Sequence, residues 1–307
     1  MKNILVTGGE GFIGKHLVKK LKSLGHNVMT VDLSVDADYT FDICDATNFH
    51  VLDNIDIDIV YHLAAQSYGK GSLLEPEKDI DWNAKGTLNI CRLAKLKNVK
   101  KIIYSSSMAI YGNKEVSKEK DNPEPLSNYG VSKLTGEFYI KKSDIDYTIF
   151  RLYNTYGRGQ DLSNYSKGVV LAFASQIALG KTNIKVTGDL NRFRDIIYID
   201  DVINALVLGI KHTETNNKIY NLSTNVKTTI KELINIIIQA SNKQGIKIIN
   251  TGSLPGDQFG NTGDNTKLLS LGWKPKTNLK TPKNANKATP VLSAIKSING
   301  CKVFATT

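Results

Sequence analysis

KNILVTGGEGFIG, residues 2–14, decides the fold. Ile4, Leu5 and Val6 form an apolar, β-branched run that reads as a strand buried on both faces. Thr7-Gly8-Gly9-Glu10-Gly11 breaks it, and Phe12, Ile13, Leu17, Val18 and Leu21 then recur at helical spacing. Glycines let a backbone approach a pyrophosphate, and a helix N-terminus faces it with free N–H groups, so this order of elements describes half of a dinucleotide site. Two spacings fit. Gly9, Gly11 and Gly14 give G-x-G-x-x-G, whereas Gly8, Gly11 and Gly14 give G-x-x-G-x-x-G. The competing interpretation is an ordinary strand-helix turn.

The chain has 307 residues, room for one large domain or two, with 41% hydrophobic and 22% charged residues. No run approaches the roughly 20 apolar residues of a membrane span, and the N-terminus enters a strand at once, so no signal peptide is expected. Cys44, Cys91 and Cys301 are far apart and make no metal-ligand spacing, which predicts reduced thiols, a cytoplasmic setting and no metal site. The net charge of +11 comes from 40 basic residues, of which only five are arginine. The lysines are scattered without interleaved aromatics, so neither nucleic acid nor membrane is expected as a partner. Arg151, Arg158, Arg192 and Arg194 cluster beside other candidate site residues and read as possible anion contacts.

Val28 to Asp32 reads as a second buried strand ending in a carboxylate 18 residues after Gly14. An acid near that offset binds the adenosine ribose of NAD and repels the 2′-phosphate of NADP. Tyr39-Thr40-Phe41, followed by Asp42-Ile43, is a short third strand. Asp56 to Ala65 is a fourth, in which His62 reads as a packing residue. A helix opens at Asp81-Trp82-Asn83, with Asn83 as a cap or a brace on nearby backbone. Lys101 to Tyr104 is a fifth strand, ending in Ser105-Ser106-Ser107 on the rim where open α/β sheets bind ligands. Tyr129 and Lys133 lie four apart on the next helix and share a face. An ammonium near a phenol favours the phenolate, and that pair with a Ser107 hydroxyl can move a proton at a carbinol or ketone.

Alternation of strands and helices through Asp146–Arg151, a sixth strand, predicts an α/β fold with a doubly wound parallel Rossmann sheet. Beyond a loop marked by Asn154, Gly157, Gly159, Asn164 and Ser166, the pattern predicts a helix over 169–179, strands over 184–187, 192–199 and 219–222, a helix capped by Asp200-Asp201, and an apolar helix over 230–240. Residues 1–165 are expected to be mainly the dinucleotide-binding domain. Residues 166–279 are expected to be mainly a smaller substrate lobe with late strands returning to the sheet, and 280–307 an atypical polar tail.

These residues resemble the extended short-chain dehydrogenase/reductase family in its nucleotide-sugar epimerase and dehydratase branch. The likeness runs through Thr7–Gly14, Asp32, Asp42-Ile43, His62–Ala65, Asn83, Ser105–Gly112, Tyr129–Lys133, Arg151–Asn154, Arg194–Asp201 and Gly272-Trp273-Lys274-Pro275. The resemblance implies that Gly8, Gly11, Phe12, Ile13 and Gly14 bind NAD pyrophosphate, with Gly9 a bystander that keeps the turn loose. It places Asp32 at the adenosine ribose and Asp42 and Ile43 beside adenine. Leu63, Ala64, Ala65, Asn83, Ser105 and Tyr153 then lie along the cofactor. It makes Tyr129 the acid/base, Lys133 the group that lowers its pKa and holds the nicotinamide ribose, and Ser107 the contact to the sugar hydroxyl. Asn154 and Arg194 would hold the diphosphate, and a homodimer would form through the helices after Asn83 and Tyr129.

Departures from the pattern narrow the reaction. Dehydratases of the family carry carboxyl groups where this chain has Met108 and Ala109, which transfer no protons. The resemblance then leaves an NAD-dependent 4-epimerase of a UDP-hexose type nucleotide sugar, working by transient hydride transfer through a 4-keto intermediate. The alternative is an NAD(P)H-dependent 4-ketoreductase of a nucleotide-activated 6-deoxy sugar. A non-catalytic NAD sensor is a third reading, opposed by the Tyr129–Lys133 pair. Ser253-Leu254-Pro255-Gly256-Asp257 lacks the Arg that relatives often carry, and Asn261 stands where plain-hexose enzymes carry Tyr, a hint of a tolerant sugar pocket.

Overall fold

The computed structural model describes residues 1–160, 168–252 and 259–279. The expectations for Asn164 and Ser166, for the Ser253–Asp257 run, for Cys301 and for the 280–307 tail lie outside the described residues.

β1 (Asn3–Thr7), α1 (Phe12–Ser23), β2 (Asn27–Asp32) and β3 (Tyr39–Thr40) open the chain. β4 (Ile59–His62) leads through α2 (Gly69–Leu74), α3 (Pro76–Ile80) and a π turn over Asp81–Lys85 into α4 (Gly86–Leu96). β5 (Lys101–Ser107), β6 (Val116–Ser117), α5 (Asn128–Lys141), β7 (Asp146–Leu152) and β8 (Asn154–Tyr156) follow. The later elements are α6 (Val169–Ala178), β9 (Asn183–Val186), β10 (Phe193–Arg194), β11 (Ile196–Tyr198), α7 (Ile199–Lys211), β12 (Lys218–Leu222), β13 (Thr228–Thr229), α8 (Ile230–Ser241), β14 (Lys247–Asn250), β15 (Thr262–Gly263) and α9 (Thr266–Leu269).

Seven strands form one parallel sheet in the order β12-β7-β5-β4-β1-β2-β3. The chain winds outward from β1 to β3, then crosses to β4 on the other side of β1. The winding direction therefore reverses between β1 and β4, where diverging connections open a crevice at the strands' carboxyl ends. The glycine turn leaves β1 there, and Leu63–Ala65 leave β4. Ile4 and Val6 face one core layer with Leu17 and Leu21, and Leu5 faces the other with Val31, Ile90 and Ile102. All three residues of the β1 run are 0% exposed, which is why the run is continuously apolar rather than alternating.

Local expectations change where a distant partner intervenes. The strand expected over 192–199 is broken at Asp195, giving β10 paired with β13 and β11 paired with β8. The buried Asp195 carboxylate turns instead to the N–H groups of Thr224 and Asn225 at 2.8 Å each. Burial pushes it up to about 6 despite those bonds and those from the Thr224 hydroxyl and Gly263. The helix expected to be capped by Asp200-Asp201 starts at Ile199 after Tyr198, with both acids in its first turn. Asp201 accepts the N–H groups of Lys276 and Thr277 at 2.9 Å each, and its carbonyl takes the Trp273 Nε1–H at 3.0 Å. The Gly-Trp-Lys-Pro segment is thereby fastened to α7.

Arg151 is not an anion contact. It is buried and forks onto Glu137, both N–H···O distances being 2.8 Å, while a third donor reaches the Tyr111 hydroxyl at 2.8 Å. Glu137 also accepts from Ser106 Oγ at 2.6 Å. Burial alone would raise the Glu137 carboxyl, but the Arg151 guanidinium and Ser106 hold it below its usual value. Arg151→Met would leave the buried Glu137 carboxylate with only the Ser106 hydroxyl and the Lys141 ammonium at 3.6 Å, at a cost of about 3 kcal/mol near neutral pH. A depressed carboxyl stabilises the fold above its unfolded pKa, about 4.3, and that contribution is lost as pH falls through the folded value. Urea denaturation of wild type and variant should therefore converge on acidification.

Candidate active site

The crevice opens into a cleft of about 1160 Å³. One end is the glycine turn. Gly8 has φ +71°, and a Cβ on it would lie 2.7 Å from the Ala64 nitrogen. A Cβ on Gly14 would overlap the Gly8 carbonyl oxygen. Gly9 is no bystander, since its Cβ would lie 2.6 Å from Thr30 Cβ, whereas one on Gly11 meets nothing nearer than 3.2 Å. The turn thus packs α1 onto β1 with its N-terminus facing the cleft. Gly11 there caps nothing by side chain, and the first turn holds no acid. Uncapped N–H groups at that end fit a pyrophosphate.

Asp32 and Asp42 line the cleft beyond the turn. Asp32 takes the Glu10 N–H at 3.0 Å and the Ser34 N–H at 3.2 Å, leaving lone pairs for a ribose. Trp82 Nε1–H reaches Asp42 at 3.4 Å and the indole joins the wall, a residue the sequence reading missed because only the fold brings 42 and 82 together. Ile43, Leu63, Ala64 and Ala65 continue the wall. The donor set, the cradle without room for side chains and the acidic end fit NAD and oppose the extra phosphate of NADP.

At the other end Ser105, Ser107, Tyr129, Lys133 and Tyr153 share the cleft with Asn154 and Arg194. β5 runs through all three serines, so Ser105 and Ser107 sit at its carboxyl end. Ser127 caps α5, accepting the Gly130 N–H at 3.1 Å, and starts the helix that presents Tyr129 and Lys133. Lys133 is 2% exposed with its ammonium 4.3 Å over the Tyr104 ring. Burial pulls that ammonium down to about 7, against the pull of Glu137 and Asp79. Tyr129 departs from the expected direction: burial pushes its phenol up to about 12, the Ser107 hydroxyl draws it down, and Asp79 adds to the rise. Met108 and Ala109 line the cleft and bring no acid to it. Burial brings Arg194 down to about 10, with Arg192 adding to the fall.

Three sequence-predicted positions lie behind the wall. Asn83 is 1% exposed inside the π turn, not at a helix start, and its amide serves Gln66, Asp79 and Ser132. It does not line the cleft. Asn261 is buried against Ser117 and the Tyr153 hydroxyl, which donates to it at 3.2 Å, so it reaches the cleft only through Tyr153. His62 is the packing residue expected, bonded to Thr7 at 2.7 Å and Thr87 at 2.9 Å, and burial lowers it to about 3. Of the four clustered arginines, Arg194 lines the cleft. Arg192 donates to the Thr187 and Asp189 carbonyls, and Arg158 meets exposed Asp200 at 3.5 Å.

The model of the NAD dependent epimerase/dehydratase family matches residues 4–223. The chain belongs to this family. A UDP-glucose 4-epimerase of Mycolicibacterium smegmatis is 31% identical over 90% of this chain and 94% of its own. The crystal structure of a UDP-glucose 4-epimerase from Thermotoga maritima with UDP-glucose aligns at a TM-score of 0.86 and 30% identity, covering 96% of this chain and 98% of that one. The Thermus thermophilus UDP-glucose 4-epimerase complex with NAD aligns at 0.86 and 27% identity, covering 97% and 99%. As a member of the family the chain is an NAD-dependent enzyme with a Rossmann-type sheet, and among the described residues no helix is long and apolar enough to cross a membrane.

The tightness at Gly14 gives a direct check. Gly14→Ala should force the turn apart and abolish NAD binding, read as loss of nucleotide released on denaturing the purified protein. Gly11→Ala, with only a 3.2 Å approach, should retain NAD. Equal retention by both variants would contradict the cradle.

Proposed function

We propose that the chain is a nucleotide-sugar 4-epimerase of the UDP-hexose type that works with a retained NAD. The observation that carries this reading is one cleft shared by the phosphate cradle, Asp32, the Tyr129–Lys133–Ser107 group and Arg194, with uncharged Met108 and Ala109 on its wall. A cleft with those groups has what alcohol-to-ketone exchange at C4 needs, and among the described residues its Tyr129 end carries Met108 and Ala109 where an acid for elimination at C5 and C6 would stand. The relatives named above are UDP-glucose 4-epimerases, which supports the same chemistry.

In this reading Tyr129 takes the C4 hydroxyl proton and later returns it to the other face of the 4-keto sugar. Ser107 holds that oxygen in hydrogen-bond reach of the phenol, and the Lys133 ammonium stabilises the phenolate as it forms. NAD, when bound along Gly8–Gly14, Asp32, Asp42, Ile43 and Leu63–Ala65, supplies a hydride acceptor that is regenerated each cycle. Asn154 and Arg194 hold the diphosphate, leaving the sugar free to turn over. Residues 1–165 act as the cofactor domain and 166–279 mainly as the substrate lobe, with β12 returning to the sheet. Exposed Leu96 on α4 and Val131 and Phe138 on α5 offer the apolar face for a homodimer, and the free thiols of half-buried Cys44 and buried Cys91 suit the cytoplasm.

Purified protein given a UDP-hexose and no added cofactor should form the C4 epimer. Tyr129→Phe should lower kcat by roughly 10²–10⁴ while retaining NAD. Consumption of NADH or NADPH with a 4-keto-6-deoxy sugar, and no epimer without cofactor, would establish the reductase instead. An unchanged rate in Tyr129→Phe would remove Tyr129 from the chemistry.

A further inference from the structure

Behind the cleft, Asp79 on α3 and Asn83 in the π turn form a polar pair that the proposed chemistry leaves unused. Asp79 is 0% exposed and Asn83 1%. Asn83 Nδ2 donates to Asp79 Oδ1 at 3.0 Å, to the Gln66 carbonyl at 3.1 Å and to Ser132 Oγ at 3.0 Å. These acceptors set the amide's orientation, because the reversed amide would aim its oxygen at a carbonyl and a carboxyl oxygen. Ser132 in turn donates to the Tyr129 carbonyl at 3.1 Å, which ties the pair to the segment carrying Tyr129 and Lys133.

Two buried oxygens are left without a partner, Asp79 Oδ2 and Asn83 Oδ1. Both are acceptors while Asp79 is ionised, and a buried acceptor without a partner is unfavourable. A carboxylic acid and a primary amide complement each other at two points, N–H to O=C and O–H to O=C. The first contact is present. The two atoms that the second would join are the two that lack partners, and one proton on Asp79 Oδ2 satisfies both.

We propose that Asp79 is a neutral carboxylic acid at neutral pH, paired at two points with Asn83, and that it acts as a positioning residue for the Tyr129–Lys133 pair. Its positioning role rests on the reading of that pair as the acid/base. Burial raises the Asp79 carboxyl, while Ser132 and the Lys133 ammonium draw it down. Of the titratable groups on the elements packed against α3, Lys133 and Tyr129 on α5 interact with it. Lys70 on α2, Asp81 and Lys85 on the π turn, and Glu75, Glu77 and Lys78 around α3 itself are exposed. A neutral Asp79 keeps negative charge away from the Tyr129 phenol, which an ionised Asp79 would make harder to deprotonate. Burial can hold a carboxylic acid neutral in this way.

The infrared difference between wild type and Asp79→Asn at neutral pH tests the proton directly. The expected result is a protonated-carboxyl C=O band present in wild type and missing from the variant. Carboxylate bands in its place, as for an ionised Asp79 with a buried water donating to both oxygens, would overturn the proposal. Wild type alone serves where the variant does not fold, by titrating the acid band, which should fade only above neutral pH. This arm needs no turnover, so it stands or falls separately from the epimerase reading. In the kinetic arm Asp79→Ala should lower kcat roughly tenfold at unchanged KM, and Asp79→Asn, whose NH₂ replaces the acid O–H, should restore it to within about threefold with a flatter alkaline limb. A loss in Asp79→Asn equal to that in Asp79→Ala would mean that charge, not the proton, is required.

Discussion

Two backbones meet at the crevice, the Gly8–Gly14 turn and the Leu63–Ala64 segment that leaves β4, with no space between them for a side chain. That contact fixes how α1 sits on the sheet, and the direction of α1 fixes where its uncapped N–H groups point. The cofactor wall is backbone and glycine on one side and small residues on the other, so a flat ligand fits. Ser107 on β5 and Tyr129 and Lys133 on α5 are positioned relative to that wall through β4, which pairs with both β1 and β5.

A second layer of constraint lies beneath Tyr129 and Lys133. The Lys133 ammonium rests on Tyr104, and the other aromatic partner of Tyr104 is His62, stacked at 5.5 Å. A charged imidazole there would repel the ammonium across one ring. Burial keeps His62 neutral, and its hydrogen bonds extend the column: His62 meets Thr87, whose hydroxyl donates to the Asn83 carbonyl at 2.7 Å. Polar groups that look idle in the sequence thus connect β1, β4 and the π turn into one support for Lys133. On the far side Glu137 and Arg151 brace Ser106, between Ser105 and Ser107 on β5.

The elements with strong local signals were legible. The β1 run, the glycine break, the α1 period and the four-residue spacing of Tyr129 and Lys133 are each written within a dozen residues, and each stands where expected. Features decided by distant partners were not. Nothing near Gly9 reveals that Thr30 presses on it, and nothing near Arg151 reveals Glu137. The resemblance puts Asn83 along the cofactor and Asn261 at the sugar pocket, yet burial directs both amides to protein atoms. β14 and β15 escaped notice because their partners, β9 and β6, are remote in sequence and the strands are short. Trp82 had a readable signal, an indole beside a candidate brace, but its partner Asp42 comes from another turn of the sheet.

β12 lies beside β7 in the sheet although the whole of α6 to α7 separates them in sequence. During synthesis, β7 therefore emerges and docks on β5 long before its outer neighbour exists. Its edge, with unpaired N–H and C=O groups, stays open while the lobe is being translated, the state in which strands recruit other chains. Closing that edge requires a long loop, whose entropic cost grows only slowly with length. The nascent chain is most vulnerable to association in that interval, and arrival of the Ile219–Leu222 segment ends it.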